Sequence, residues 1–104
     1  MSNSYELYLT PLAQENLIEI FDYIAYTLYD PKAAQDLIDI IDKAFERLKH
    51  FPYSSPEIGV FYRKYSGYRR CPVKNYNIYY LVEGNRIIIM TVMHQLRSYK
   101  NLPL

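Results

Sequence analysis

The stretch "YNIYYLVEGNRIIIMTVMH", residues 76–94, decides the fold. Two runs rich in tyrosine and β-branched residues flank Gly84-Asn85, the two-residue signature of a primed hairpin turn. Such a loop fixes the register, pairing Glu83 with Arg86, Val82 with Ile87, and so on down the ladder. Strict alternation then gives Tyr76, Ile78, Tyr80, Val82, Ile87, Ile89 and Met93 to one face. The other face receives Asn77, Tyr79, Leu81, Ile88, Met90, Val92 and, at the far end, His94 opposite Asn75. The first face is the better seat for helices, and the second is apolar enough to be covered as well. "GYRRCPV" (67–73) precedes the hairpin as a further strand.

Working outward, "YELYL" (5–9) alternates as a short strand. Thr10-Pro11 and Asp30-Pro31 each read as an N-cap followed by proline at the first helical position. Ala13, Leu17, Ile20, Phe21, Ile24 and Leu28 then recur at three and four, the stripe of a helix reaching about Tyr29. Ala34, Leu37, Ile38, Ile41, Phe45 and Leu48 stripe a second helix that ends before Phe51-Pro52. So little chain separates them that they fold back as an antiparallel αα-hairpin, and their facing stripes are expected to carry most of the core. Residues 52–67, "PYSSPEIGVFYRKYSG", read as a loop with one short strand around Val60–Tyr62. The expected fold is α+β in the order β-α-α-β-β-β: an N-terminal strand and a helical hairpin packed on a small, mainly antiparallel sheet. It forms one domain over residues 1–104.

Composition narrows the function classes. Half of the 104 residues are hydrophobic, enough for one self-sufficient core. No stretch approaches the roughly 20 apolar residues of a membrane span, and "MSNSYELYL" lacks the features of a signal peptide, so a cytoplasmic setting is expected. Cys71 is the only cysteine, which excludes an internal disulfide and a cysteine-rich zinc site. It reads as a small core residue. Neither helix stripe contains a cofactor box; no cofactor and no metal are expected. Thirteen tyrosines with no tryptophan suit half-wet surfaces and interfaces.

Charge is divided along the chain. Residues 1–50 hold nine acids and four bases, net −5, and residues 51–104 hold two acids and eight bases, net +6. Two mutually neutralising solvated faces would explain this, and so would an acidic partner for the C-terminal half. Its basic heart is Arg63, Lys64, Arg69, Arg70 and Lys74, interleaved with Tyr62, Tyr65 and Tyr68. Charge with stacking rings fits nucleic acid; Arg with carboxylates and Tyr with apolar side chains fits a protein dock. Alternation puts Arg69 and Arg70 on opposite faces, which argues against one phosphate clamp and favours the dock. The tail "VMHQLRSYKN" (92–101) holds a histidine, an arginine, a tyrosine and a lysine, the side chains of a small ribonuclease; His94, Arg97 and Tyr99, with Lys74 from before the hairpin, could supply base, acid and phosphate clamp. A lone histidine closing a strand is also an ordinary hydrogen-bonded residue. Glu57 could serve as a base, or merely as a solvated turn residue.

Several segments together carry a resemblance: "LTPLAQENLIEIFDYIA" at 9–25, "LKHFP" at 48–52 and "YRRCPVKNYNIYYLVEGNRIIIMTVMH" at 68–94. The Thr-Pro helix start, Ile-x-x-Tyr-Ile in helix one, Leu-x-x-Phe-Pro closing helix two, Tyr-x-x-Tyr-Tyr and the terminal Val-x-His stand in the order seen in one family. The chain resembles the RelE/ParE superfamily of toxins from bacterial type II toxin–antitoxin systems, over essentially its whole length. The resemblance implies growth inhibition, plasmid stabilisation, and a cognate antitoxin that wraps and neutralises the toxin. It allows a homodimer or a hetero-oligomeric toxin–antitoxin complex.

The superfamily divides by target. RelE-like members are ribosome-dependent mRNA endoribonucleases with an arginine on the strand equivalent to 76–82; here that position is Asn77. They carry another arginine after the last strand, where this chain has Gln95, with Arg97 two residues later. A neutral amide cannot offset the charge that builds on a pentacoordinate phosphate as guanidinium does. The "Met-His-Gln-Leu-Arg" tail is similar to ParE-like members, which poison DNA gyrase without enzymatic chemistry. The resemblance therefore favours gyrase inhibition, with antitoxin or target met by Arg63, Lys64, Tyr65, Arg69, Arg70, Lys74 and Arg97. A nuclease with rearranged cations, and a degenerate non-toxic antitoxin-binding partner, are the alternatives.

Overall fold

The computed structural model describes residues 4–58 and 66–97. The chain order is β1 (Glu6–Leu9), α1 (Pro11–Asp22), a π-helical turn (Tyr23–Thr27), α2 (Pro31–His50), β2 (Arg69–Val73), β3 (Tyr76–Glu83) and β4 (Arg86–His94). The sheet order is β1-β4-β3-β2, with β1 parallel to β4 and the other pairs antiparallel. The expected α+β class and element order are therefore what the chain adopts. The strand expected around Val60–Tyr62 lies outside the described residues.

Both helix starts form as the sequence implies. Thr10 accepts from the Ala13 N–H at 3.0 Å and Asp30 from the Ala33 N–H at 3.0 Å, with Pro11 and Pro31 at the first helical positions. The stripe of α2 faces inward as expected, with Ala34, Ile41, Phe45 and Leu48 buried. In the first helix the stripe holds only to the π-helical turn, closed by Leu28 N–H on the Tyr23 carbonyl at 3.0 Å. A π-turn inserts one extra residue, so the inward face passes to Ala25, which is buried, while Leu28 rotates into solvent.

The core lies between helices and sheet rather than mainly between the two helices. Ile20, Ile41, Phe45 and Leu48 pack with Ile78, Tyr80, Ile87, Ile89 and Val92, and Ile24 is only partly buried at the margin. Tyr80 is wholly buried and donates to the Pro52 carbonyl at 2.7 Å, which ties the chain after α2 beneath the sheet.

The hairpin begins in the expected register, Glu83 with Arg86 and Val82 with Ile87, with Gly84 at φ 59°. It then departs. Tyr80 faces Ile89, but Tyr79 faces Thr91, so Met90 is an extra residue in β4. Beyond this bulge the parity reverses. Val92, not Met93, joins the helix-side core; Met93 joins Tyr68 and Tyr79 on the opposite face; and His94 pairs with Tyr76, not Asn75.

The first helix accounts for the bulge. The Thr10 hydroxyl donates to the Met90 carbonyl at 2.8 Å, and the Asn16 side-chain oxygen accepts from the Thr91 hydroxyl at 2.6 Å and the Val92 N–H at 3.1 Å. These bonds pair groups that the broken ladder leaves over. On the opposite face Tyr68, Tyr79 and Met93 are covered in part by Ile58, whose N–H donates to the Tyr68 carbonyl at 2.9 Å.

These positions fix expectations for stability. Asn16→Ala leaves the bulge donors unpaired and is expected to cost about 1–3 kcal/mol. Ile41→Ala and Leu48→Ala are expected to cost about 2–5 kcal/mol each, whereas Leu28→Ala, on an uninterrupted α-helix a core truncation, stays within about 0.5 kcal/mol. Urea denaturation of the four variants tests the set, and a large loss at Leu28 would place it back in the core.

Candidate functional site

The face of the sheet opposite the helices ends in a groove. Arg70, Pro72, Asn77, Gln95 and Leu96 line a cavity of about 420 Å³ where the β2–β3 turn meets the end of β4. Register explains the grouping. Arg70 pairs with Tyr79 and Pro72 with Asn77, so all four belong to one face, and Gln95 N–H donates to the Asn75 carbonyl at 2.8 Å to close the end. Asn77 is buried, and its amide donates to the Tyr79 hydroxyl at 3.4 Å. Leu96 stands exposed at the rim. Among the described residues the only cation lining this groove is Arg70.

Arg69 and Arg70 separate, as alternation requires, and their employment differs. Arg69 donates to the Ser55 carbonyl at 2.7 Å and lies over the Tyr53 ring at 4.9 Å, while Tyr53 meets Tyr5 edge-on at 6.5 Å. That guanidinium holds the loop after α2 against the sheet. The Arg70 side chain makes no hydrogen bond or ion pair among the described residues.

Of the proposed catalytic set, His94, Lys74 and Arg97 fall within the described residues. Because the bulge has reversed parity, His94 looks to the helix side, where its ring meets Tyr76 edge-on at 5.3 Å. Its Nδ1 accepts the Leu96 N–H at 3.2 Å, a bond that occupies the lone pair a general base would use. Burial, with Tyr23 nearby, pushes the Tyr76 phenol above its ordinary pKa. Lys74 sits exposed in the β2–β3 turn at φ 53°, and Arg97 lies just past β4, its N–H on the His94 carbonyl at 2.9 Å. Both therefore belong to the same end of the sheet as the groove, one in the β2–β3 turn and the other just past β4. Tyr99, Arg63, Lys64 and Tyr65 lie outside the described residues.

Other side chains take roles that the sequence left open. The Glu57 carboxylate accepts the Gly67 N–H at 2.9 Å and fixes the return of the loop into β2. Cys71 is buried in the core, as its type suggests. Gln95 and Leu96 were not singled out as lining residues; their signal was position, immediately past a strand opposite Asn75, rather than residue type. Among the described residues no group of three or more His, Cys, Asp or Glu side chains could hold a metal ion, and no helix is long and apolar enough to cross a membrane.

Comparison with known proteins places this geometry. The family described as "ParE toxin of type II toxin-antitoxin system, parDE" matches residues 7–99. Among solved structures, the chromosomal ParDE toxin–antitoxin system from P. aeruginosa is similar at 19% identity with a TM-score of 0.73, covering 89% of this chain and 98% of that one. The RelBE2 toxin–antitoxin complex from Mycobacterium tuberculosis is similar at 17% identity with a TM-score of 0.63, covering 88% and 98%. At such identities both likenesses speak for the fold alone. No curated protein sequence matches the chain.

The division of labour between the adjacent arginines is open to measurement. Arg69→Ala removes a charge-assisted bond and a ring contact, and is expected to cost about 1.5–3 kcal/mol. Arg70→Ala should stay within about 0.5 kcal/mol of the parent. Equal losses in thermal and urea denaturation would show that Arg70 is as structural as its neighbour.

Proposed function

The chain belongs to the ParE toxin family of type II toxin–antitoxin systems, and on that premise we propose that it is a non-enzymatic inhibitor of DNA gyrase, acting in the cytoplasm. Its cognate antitoxin silences it by covering the face of the sheet opposite the helices around Arg70, Lys74 and Arg97. The observation that carries the reading is Asn77. It occupies the groove where phosphodiester cleavage would need a guanidinium, and it is neutral and buried. His94 supports the same reading, because its ring is turned away from that groove and its Nδ1 is engaged by Leu96.

An antitoxin fits this face on electrostatic grounds. Arg70 is without a partner among the described residues, and a carboxylate can meet its planar fork with two parallel bonds. Tyr68 and Tyr79 on the same face are buried, so neither offers a ring for nucleobases to stack on. The outer edge of β2 is closed to an added strand: Arg70 N–H already donates to the Pro56 carbonyl at 3.2 Å, and Pro72 has no N–H to give. An acidic segment of the antitoxin thus lies across the face.

The test is inducible expression with two readouts: primer extension on translated mRNA, and plasmid supercoiling by purified gyrase. Loss of supercoiling with no discrete mRNA cuts is the expected result. Discrete cuts that slow by about 10²–10⁴-fold in His94→Ala would replace this reading with ribosome-dependent nuclease activity. With purified antitoxin, Arg70→Glu should raise the Kd by about tenfold or more, an effect that weakens with salt. An unchanged Kd at low salt would move the dock elsewhere.

A further inference from the structure

The tip of the helical hairpin exposes aromatic rings at a conformational cost. Tyr23, Tyr26, Leu28 and Tyr29 are 53%, 69%, 54% and 87% exposed, four large apolar side chains within seven residues. Two separate backbone features present them. The π-helical turn Tyr23–Thr27 shifts the apolar stripe, which turns Leu28 outward, and such turns recur at functional sites. Tyr29 then adopts φ 59°, a left-handed conformation that glycine or asparagine would hold without the same cost. No contact among the described residues offsets this choice of residue. Neither Tyr26 nor Tyr29 makes a side-chain hydrogen bond or ring contact among them.

Charge identifies what would cover the tip. From residue 11 to residue 30 the chain carries Glu15, Glu19, Asp22 and Asp30 and no lysine or arginine, and Lys32, just past the tip, is paired with Asp36 at 3.0 Å. Asp30 is committed to the helix cap, while Glu15, Glu19 and Asp22 are exposed. Tyrosine faces bordered by free carboxylates attract guanidinium and ammonium groups, through the ring quadrupole and by pairing. They repel a nucleic-acid backbone. The groove at Arg70 has the opposite sign, so a segment complementary to one surface is mismatched at the other.

We propose that the hairpin tip, formed by Tyr23, Tyr26 and Tyr29 with Glu19 and Asp22, is the contact by which the toxin seizes a basic surface on its protein target, separate from the face that the antitoxin covers. This rests on the reading of the chain as an antitoxin-controlled toxin, but not on which enzyme is poisoned. Tyrosine at position 29 is then kept for binding against the preference of the backbone, a local exchange of stability for function.

The experiment compares Tyr29→Gly, Tyr26→Ser and the pair Glu19→Lys with Asp22→Lys against the parent in the full chain. Four quantities are read: thermal midpoint, antitoxin Kd, sedimentation, and the inducer level that arrests growth. Tyr29→Gly should match or exceed the parent's midpoint. Each variant should need about tenfold or more inducer to arrest growth, with antitoxin Kd within about twofold. Arrest at the parent's inducer level in the tyrosine variants, or in the charge-reversed pair, overturns the proposal. So does a parallel loss of antitoxin affinity, which would make the tip the antitoxin's seat, or a parent dimer that the variants convert to monomer. A parent that arrests growth without affecting supercoiling strikes gyrase and leaves the tip comparison intact. A parent that never arrests growth removes the toxin reading and this proposal together.

Discussion

One extra residue in β4 governs the arrangement of this protein's working face. Between Ile89 and Thr91 the ladder takes in Met90, and every side chain beyond it changes sides. Such an insertion survives only if the groups it unpairs find partners. Here Thr10 and Asn16, at the start of α1, supply them at 2.6–3.1 Å. The bulge thus joins helix to sheet and aims the last residues of β4. Val92 enters the core, and His94 goes to the helix side with Tyr76. Without the bulge His94 would share a face with Asn77 and Arg70, and the end of the sheet would be a far better candidate for acid–base chemistry.

That reversal bears on what the site can do. Cleaving a phosphodiester requires a base within reach of the attacking hydroxyl and positive charge around the phosphorus. The groove offers one guanidinium, two neutral amides and an apolar rim, with the imidazole on the other side of the sheet. Recognition asks for less. A cation without a partner among the described residues, beside amides that both donate and accept, suits a carboxylate-bearing segment whose affinity comes partly from apolar contact at Leu96.

Much of the fold was legible in the sequence because several local signals agreed. Thr10-Pro11 and Asp30-Pro31 mark both helix starts, Gly84-Asn85 sets the first pairs of the hairpin, and the stripe of α2 is buried as written. The bulge was not legible. Both faces of β3 and β4 are apolar, so alternation carries no parity signal; Val92 and Met93 are equally acceptable on either side. The π-turn hid for a similar reason, since Ile24 and Ala25 are both apolar and either could continue the stripe. Of the site, the separation of Arg69 from Arg70 followed from period two alone. That Arg69 is occupied, and Arg70 without a partner among the described residues, did not, because Ser55 and Tyr53 reach Arg69 only after the loop has folded back.

The charge division of the sequence acquires a spatial meaning from these elements. The negative half of the chain is largely α1 and α2, whose outer faces and tip are acidic, while Arg70, Lys74 and Arg97 gather at one end of the sheet. Had the two halves simply neutralised each other, the cations of the sheet would be paired with the acids of the helices. The ion pairs among the described residues are local instead: Lys32 with Asp36, Lys49 with Glu46, and Arg86 with Glu83. Each joins neighbours in sequence, is largely exposed, and contributes little to stability. Among the described residues neither the sheet-end cations nor the carboxylates beside the tip tyrosines enter an ion pair. The two groups of unlike charge thus stand on different elements, the helical hairpin and the end of the sheet.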